Sequence, residues 1–321
     1  MRNEERFVAA CLDSVLDQLE SLPECEILCV DGASTDETRN IVLGYSKKEP
    51  RLRLIDNPDK IVPFGMNKAI REARGDVIIR LDCHAKYVAD YLKNCVETLQ
   101  RTGADNVGGY MDTQPADDSI IGRAISAAIS SRFGVGGSAF RTGGGEQEAD
   151  TVPFGCFRRD VFDRFGLYDE RLVRNQDIEL NSRIRSGGGR IIISPSIRLT
   201  YFGPSTFSRL RRQAFNNGLW NPYTLYLVGG GLCLRHLIPL FFVLSIACFG
   251  VAGVFFRPLW YLLAAEIVLY LSAAIGIAIP TARSAGVSVG LLMSSFVQLH
   301  LSYGLGSLWG VITAPFKFRK S

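Results

Sequence analysis

The chain has 321 residues, 47% of them hydrophobic, and its 36 basic and 32 acidic residues leave a net charge of +4. That length holds one large domain or two small ones. So small a charge, with no Lys/Arg run interleaved with aromatics, speaks against a nucleic-acid partner. Eight scattered cysteines without a C-x-x-C pair read as reduced thiols in a cytosol-facing protein.

Residues 3–20 fit an amphipathic helix, with Phe7, Ala10, Cys11, Ser14, Val15 and Leu19 near one face. "CEILCVDGAS" is a short apolar strand running into a turn, and "TDETRNIVLGYS" a helix capped by Ser34 or Thr35. "LRLIDN" is a second strand, "PFGMNKAIREARG" a helix ended by Gly75, and "DVIIRLDCHAKY" a strong strand leading into a polar turn. This alternation predicts a mostly parallel sheet with helices on both faces. Further on, "RNQDIELNSRI" opens a helix with Asn175 as cap and Leu180 and Ile184 at helical spacing; three glycines from Gly187 stop it, and "RIIIS" follows as a strand. "RLRRQAFNNGLWNPY" is a basic helix with Trp220, placed just ahead of an almost uncharged tail.

Within that tail, residues 237–256 and 259–279 are long and apolar enough to cross a hydrocarbon core of ~30 Å. The second carries one acid, Glu266. A third stretch, 287–312, is weakened by Gln298, His300 and several glycines. Residues 1–230 are therefore expected to form the α/β domain and 231–321 a membrane region with two or three helices. Arg209, Arg211, Arg212 and Arg235 mark a cytoplasmic face near acidic lipid. Three full spans would put "KFRK" (317–320) outside, against the positive-inside tendency, whereas an interfacial third segment would return it to the cytoplasm.

Ligands of open α/β sheets bind at the carboxyl ends of strands, and two polar clusters lie there. Asp31 suits a nucleobase imide N–H or a ribose hydroxyl, and it suits equally the cap of the helix behind it. Asp82 and His84, two apart on extended chain, face one way and suit a divalent cation carrying a diphosphate. Asp177, in the first turn of its helix, is either a dipole-stabilised acid or a general base at the mouth of a site. The glycine loop 143–145 is either a flap over substrate or a surface turn.

Taken in order, "RNEE", "VDGASTDET", "GMNKAIREARGD", "LDCHAKY", "VPFGCFRRDVFDRFGLYDERLVRNQDIELNSRI" and "RRQAFNNGLW" resemble an inverting family 2 glycosyltransferase, most nearly the succinoglycan-biosynthesis, ExoA-type branch. The resemblance runs from residue 2 to about 225, and the tail is similar as well. It implies a GT-A fold, a nucleotide-sugar donor with UDP-glucose expected, Mg²⁺ or Mn²⁺, and a lipid-linked saccharide acceptor in exopolysaccharide synthesis. By the same resemblance Arg2, Glu4 and Asp31 belong to the donor site. Asp82 and His84 stand at the D-x-D motif, where donor and metal are gripped, with His84 replacing the second acid. Gln176-Asp177 stands where the family has Glu-Asp, so Asp177 carries the base role and neutral Gln176 removes a neighbouring charge. Gln213 and Trp220 match a Q-x-x-R-W motif only in part. The implied location is a bacterial inner membrane, with several spans, the catalytic part in the cytoplasm and other polysaccharide-assembly proteins as partners. Family members carry a strand of the type "VSVIIP" ahead of "RNEE". Its absence leads to the expectations that the native start lies upstream of Met1 and that a neighbouring strand is left with unpaired backbone groups.

Other readings keep the chemistry with a polyprenyl phosphate acceptor, or make the chain a non-catalytic nucleotide-sugar-binding scaffold. A small-solute membrane protein fits less well, because the motifs lie outside the apolar tail.

Overall fold

The structure, a computed structural model, describes residues 1–318; Arg319 and Lys320 of the basic tail lie outside the described residues. The chain forms two compact units: residues 1–112 with 143–201, and residues 113–142 with 202–321. The second therefore takes in more than the expected membrane region 231–321, since it includes residues 113–142 and 202–230 as well.

In the first unit, α1 (Val8–Leu16) is followed by β1 (Ile27–Asp31), α2 (Thr38–Ser46), β2 (Leu52–Asp56), α3 (Val62–Glu72), β3 (Val77–Ile79), β4 (Ala85–Tyr87) and α4 (Tyr91–Thr102). β5 (Asn106–Pro115) leads out of this unit to α5 (Ile120–Ile129), α6 (Arg132–Val135) and α7 (Ala139–Thr142). The chain returns through β6 (Gln147–Glu148), β7 (Cys156–Arg158), α8 (Asp160–Phe165), α9 (Gln176–Ser186) and β8 (Ile191–Gly203).

Several expectations shift. α1 is shorter than 3–20, with its buried face at Val8, Cys11, Leu12 and Val15. α2 starts at Thr38 with Glu37 at the cap position, so neither Ser34 nor Thr35 caps it. Their turn folds back on the amino-terminal residues instead: the Asn3 amide donates to the Ser34 hydroxyl at 2.9 Å and the Thr35 amide to the Asn3 side chain at 2.8 Å. α3 ends at Glu72, ahead of Gly75. The single strand expected over "DVIIRLDCHAKY" breaks at Arg80 into β3 and β4, which pair with different partners.

The sheet is mixed. β1 and β2 pair in parallel, with Asp31 opposite Asp56. β3 pairs with β7, β5 with β7, and β4 and β6 with β8, all antiparallel. Strand–helix alternation predicts parallel pairing over the first half of the unit, where β1 and β2 comply. The later strands are joined by chain that reverses direction, which periodicity does not reveal. β1 pairs with β2 alone and β3 with β7 alone, so among the described residues each has one strand edge without a strand partner. At the β1 edge, the Met1 amino group donates to the Val30 carbonyl at 2.9 Å and the Gly32 amide to the Met1 carbonyl at 2.8 Å.

In the second unit, α10 (Phe207–Val228), α11 (Ile238–Phe255), α12 (Pro258–Ala285) and α13 (Val289–Lys317) join α5, α6 and α7. α11 and α12 match the first two apolar stretches and are long and apolar enough to cross a membrane, with mean hydropathy 2.4 and 2.2. The third stretch is the continuous helix α13, which packs tightly on α10. A Cβ at Gly306 would stand 2.0 Å from the Phe215 carbonyl oxygen, and one at Gly218 2.0 Å from that of Tyr303. Only glycine lets the two backbones approach so closely. Glu266 on α12 meets the Ser245 hydroxyl of α11 at 2.5 Å, so the acid in the apolar tail is hydrogen-bonded.

Candidate active site

The site grows from three turns of the first unit. In the turn after β1, Asp31 is 1% exposed and closes the bend on itself: the Ser34 hydroxyl donates to its Oδ1 at 2.6 Å. Ala33, at φ 54°, makes the reversal possible. Arg39 stands 3.5 Å from the Asp31 carboxylate and 2.5 Å from Asp56. Asp31 thus shapes the turn rather than capping α2. The "RNEE" turn is fastened to it: the Glu4 amide donates to the Thr38 hydroxyl at 2.6 Å, and Arg2 packs over Gly32.

The second turn is the break between β3 and β4. Here the His84 amide donates to Asp82 Oδ1 at 2.9 Å, and the Tyr87 hydroxyl contacts the Asp82 backbone. The two ring nitrogens of His84 each face an acid: Nδ1 lies 3.5 Å from Asp82 and Nε2 3.2 Å from Glu4. The hydrogen bond with Asp82, helped by the charge of Glu4, holds the imidazole above its ordinary value against the effect of burial. Burial pushes Asp82 up, but its bonds from His84 and the charge of Arg80 outweigh that and leave it below the usual carboxylate range. Burial raises Glu4.

The third turn enters α9. Asn175 takes the cap position in the left-handed region, φ 62°, without a capping bond from its side chain. Leu180 and Ile184 are fully buried behind it, as the helical spacing predicts, and Gly187 ends the helix. Asp177 faces away from that core, with 29% of its side chain exposed. Its one hydrogen-bond partner among the described residues is the Arg80 guanidinium, which binds Oδ1. The surrounding protein pushes Asp177 up, Arg80 pulls it down and Asp82 pushes it up again; the net result is raised above an ordinary carboxylate. The acid that bears on Asp177 is therefore Asp82.

Arg80 and its two ring neighbours have no role in the sequence reading. Arg80 is 7% exposed, 5.8 Å from the Phe154 ring and 6.0 Å from the Tyr168 ring. The signal was there, a cation inside the apolar run "VIIRL", two residues ahead of Asp82 on the same side of extended chain. Asn67 is a further residue of this kind: buried on α3, it exchanges two 2.9 Å bonds with the Tyr168 backbone and a third with Glu170. The glycine loop is tied down by Tyr110, whose hydroxyl donates to the Gly145 carbonyl at 2.7 Å.

Residues 1–166 match the family described as Glycosyl transferase family 2, which covers half of the chain. The chain belongs to glycosyltransferase family 2. A curated relative, the succinoglycan biosynthesis protein ExoA of Rhizobium meliloti, is 33% identical over 67% of this family 2 chain and 65% of its own length. The chain thus spans just under two thirds of that relative. A dolichyl N-acetyl-alpha-D-glucosaminyl phosphate 3-beta-D-2,3-diacetamido-2,3-dideoxy-beta-D-glucuronosyltransferase of Methanococcus voltae is 27% identical over 67% of the chain and 69% of its own length. Among solved structures, the mannosyltransferase PcManGT of Pyrobaculum calidifontis, in complex with GDP-Man and Mn²⁺, superposes with a TM-score of 0.63. It is 18% identical and covers 96% of this chain and 85% of its own. That likeness fixes the GT-A fold of this family 2 glycosyltransferase.

Two of the expected site residues belong to the second unit. Gln213 and Trp220 sit on α10, in the second unit. There Trp220 is buried, stacks edge-on against Tyr223 and lies under the Lys317 ammonium at 5.2 Å. Within its own unit, Trp220 serves as a packing residue.

Proposed function

We propose that this chain is a membrane-bound, inverting hexosyltransferase. It moves glucose from UDP-glucose to a lipid-linked oligosaccharide in exopolysaccharide assembly, at the cytoplasmic face of a bacterial inner membrane. The observation that carries this reading is the ion pair between Arg80 and Asp177, which brings the helix turn of Asp177 to the end of β3, where Arg80 stands two residues ahead of Asp82. One acid suits a donor grip and the other a base.

In this reading Asp31, with Arg2 and Glu4 on the adjoining turn, holds the nucleoside end of the donor. Asp177, ionised, takes the proton of the acceptor hydroxyl as its oxygen attacks the anomeric carbon opposite the diphosphate. The bond to UDP breaks as the new one forms, so an α-linked donor yields a β-glycoside. The raised affinity of Asp177 for protons suits a base working near neutral pH.

Asp82 and Glu4 both face the ring of His84. One carboxylate and one imidazole fit Mg²⁺ or Mn²⁺ once the ring gives up its proton, with diphosphate oxygens as further ligands. Among the described residues no three His, Cys, Asp or Glu side chains are grouped to hold a metal ion on their own. When bound there by Asp82 and His84, the ion would neutralise charge on the departing diphosphate.

Membrane attachment rests on α11 and α12, which expose Phe255, Tyr261 and Leu269 by 87%, 78% and 72%. Side chains this apolar and this bare suit lipid rather than water. Membrane attachment would support a lipid-linked acceptor, and the Methanococcus voltae relative is named for a dolichyl-linked one.

The test is transfer of radiolabelled glucose from UDP-glucose into the lipid fraction of membranes carrying the protein. Label that disappears with a chelator, and falls by about 10²- to 10⁴-fold in Asp177→Asn while UDP binding persists, is the expected result. UDP-sugar binding without transfer from UDP-glucose, UDP-galactose or UDP-GlcNAc would favour the scaffold reading.

A further inference from the structure

We propose that Arg80 is a positioning residue for the base: a buried guanidinium near two aromatic rings that holds Asp177 by one carboxylate oxygen and orients it for proton transfer. This inference rests on the reading of Asp177 as the base.

The backbone of Arg80 is held first. Its amide donates to the Gly155 carbonyl at 3.0 Å, which carries the β3–β7 ladder one residue beyond β3. Gly155 has no room to shift outward, because a Cβ there would stand 2.3 Å from Asn106 Oδ1 and 2.6 Å from the Phe157 ring. Its neighbour Phe154 adopts φ 45° and offers its ring to the Arg80 guanidinium. Tyr168 offers a second ring, and its own backbone is clamped by buried Asn67. Attraction to two aromatic faces within about 6 Å favours the charged guanidinium.

Asp177 is held far less. Nothing else among the described residues bonds its carboxylate, so its orientation depends on Arg80. The charged and titratable groups bearing on it are Arg80 and Asp82 from the β3 end, with Tyr168 beside Arg80. Without Arg80, a carboxylate crowded by protein would face only Asp82. Such a group takes up a proton and turns away, and both outcomes disable a base. A lysine at this position would keep the charge but lose the planar grip and the ring contacts.

The experiment compares Arg80→Gln and Arg80→Lys with the parent, full-length and in membranes. It measures kcat for lipid transfer, the donor KM, and UDP affinity by calorimetry. Arg80→Gln is expected to lose about 100-fold in kcat, in line with the cost of misplacing a reacting group, with UDP affinity within about twofold. Arg80→Lys is expected to lose about 10-fold, the lower range for residues that orient a functional group. A wild-type kcat in either variant overturns the inference. So does a loss carried by donor affinity, or an Arg80→Lys no better than a folded Arg80→Gln, which would assign the effect to packing. If Arg80→Gln does not fold, Arg80→Lys decides alone: reduced kcat with intact UDP affinity supports the inference and parental kcat sinks it. Full transfer by Asp177→Asn would instead remove the underlying assignment of the base, whatever the Arg80 variants do.

Discussion

The two units of this chain are held together by different means. In the first, polar side chains span long stretches of sequence: Arg80 reaches Asp177, Asn67 reaches Tyr168, and Arg158 and Arg164 share buried Asp105 at 3.1 and 2.6 Å. Glycines bring backbones together in both units, Gly109 against Ile197 in the first, but in the second they lock two whole helices against each other. Charge and hydrogen bonds adjust with pH and ligand, whereas an interlock of glycines tolerates no added volume. The first arrangement suits a site whose groups must change protonation, and the second a scaffold that must not move.

This contrast can be broken. Gly306→Leu should have the largest effect, because its Cβ would press into the Phe215 carbonyl. The expected destabilisation is about 3 kcal/mol or more, read as a lower melting temperature in detergent and less folded protein in membranes. A neutral outcome would show that α10 and α13 separate freely.

pH should act on the first unit through Asp177. Its proton affinity is raised, so the ionised fraction begins to fall at higher pH than for a free carboxylate. Transfer should therefore decline on the acid side as pH drops through that raised value, while the fold persists. A kcat/KM profile in stable vesicles checks this, and an acid limb at or below the ordinary aspartate value of about 4 would contradict it.

The smallest effect is expected from Asn67→Ala. It leaves the buried Tyr168 amide and carbonyl without their partner, a cost of about 1–3 kcal/mol. Thermal melting should show that loss, with kcat reduced only as far as Tyr168 loosens its hold on Arg80. Unchanged melting would mean that water takes over both bonds.

Much of this architecture was legible in the sequence. Hydrophobic spacing located α9 and its buried face at Leu180 and Ile184, and it put Asp177 in the first turn. The strand end at Asp31 follows from an apolar run meeting a polar turn, whereas β3 stops at Ile79, ahead of Asp82. What was not legible depends on pairing at a distance. Arg80 and Asp177 are 97 residues apart, and neither the period of a strand nor that of a helix links them. The antiparallel partners of β3 and β4 were hidden for the same reason. The turn at Asp31 misled in a different way: its carboxylate bonds the nearer Ser34, and α2 begins three residues later than a Ser34 cap would require.

The α10–α13 interlock also has a mechanical side. Gly218 lodges against Tyr303, Gly306 against Phe215 and Gly310 against Leu219, while the Ser307 hydroxyl bonds the Gly218 carbonyl at 3.1 Å and Asn221 bonds the Tyr303 hydroxyl at 2.7 Å. Teeth at successive turns of both helices block sliding, and the polar pins block rolling. The pair therefore behaves as a single stiff beam, and a tilt imposed at one end of α13 reaches α10 undamped.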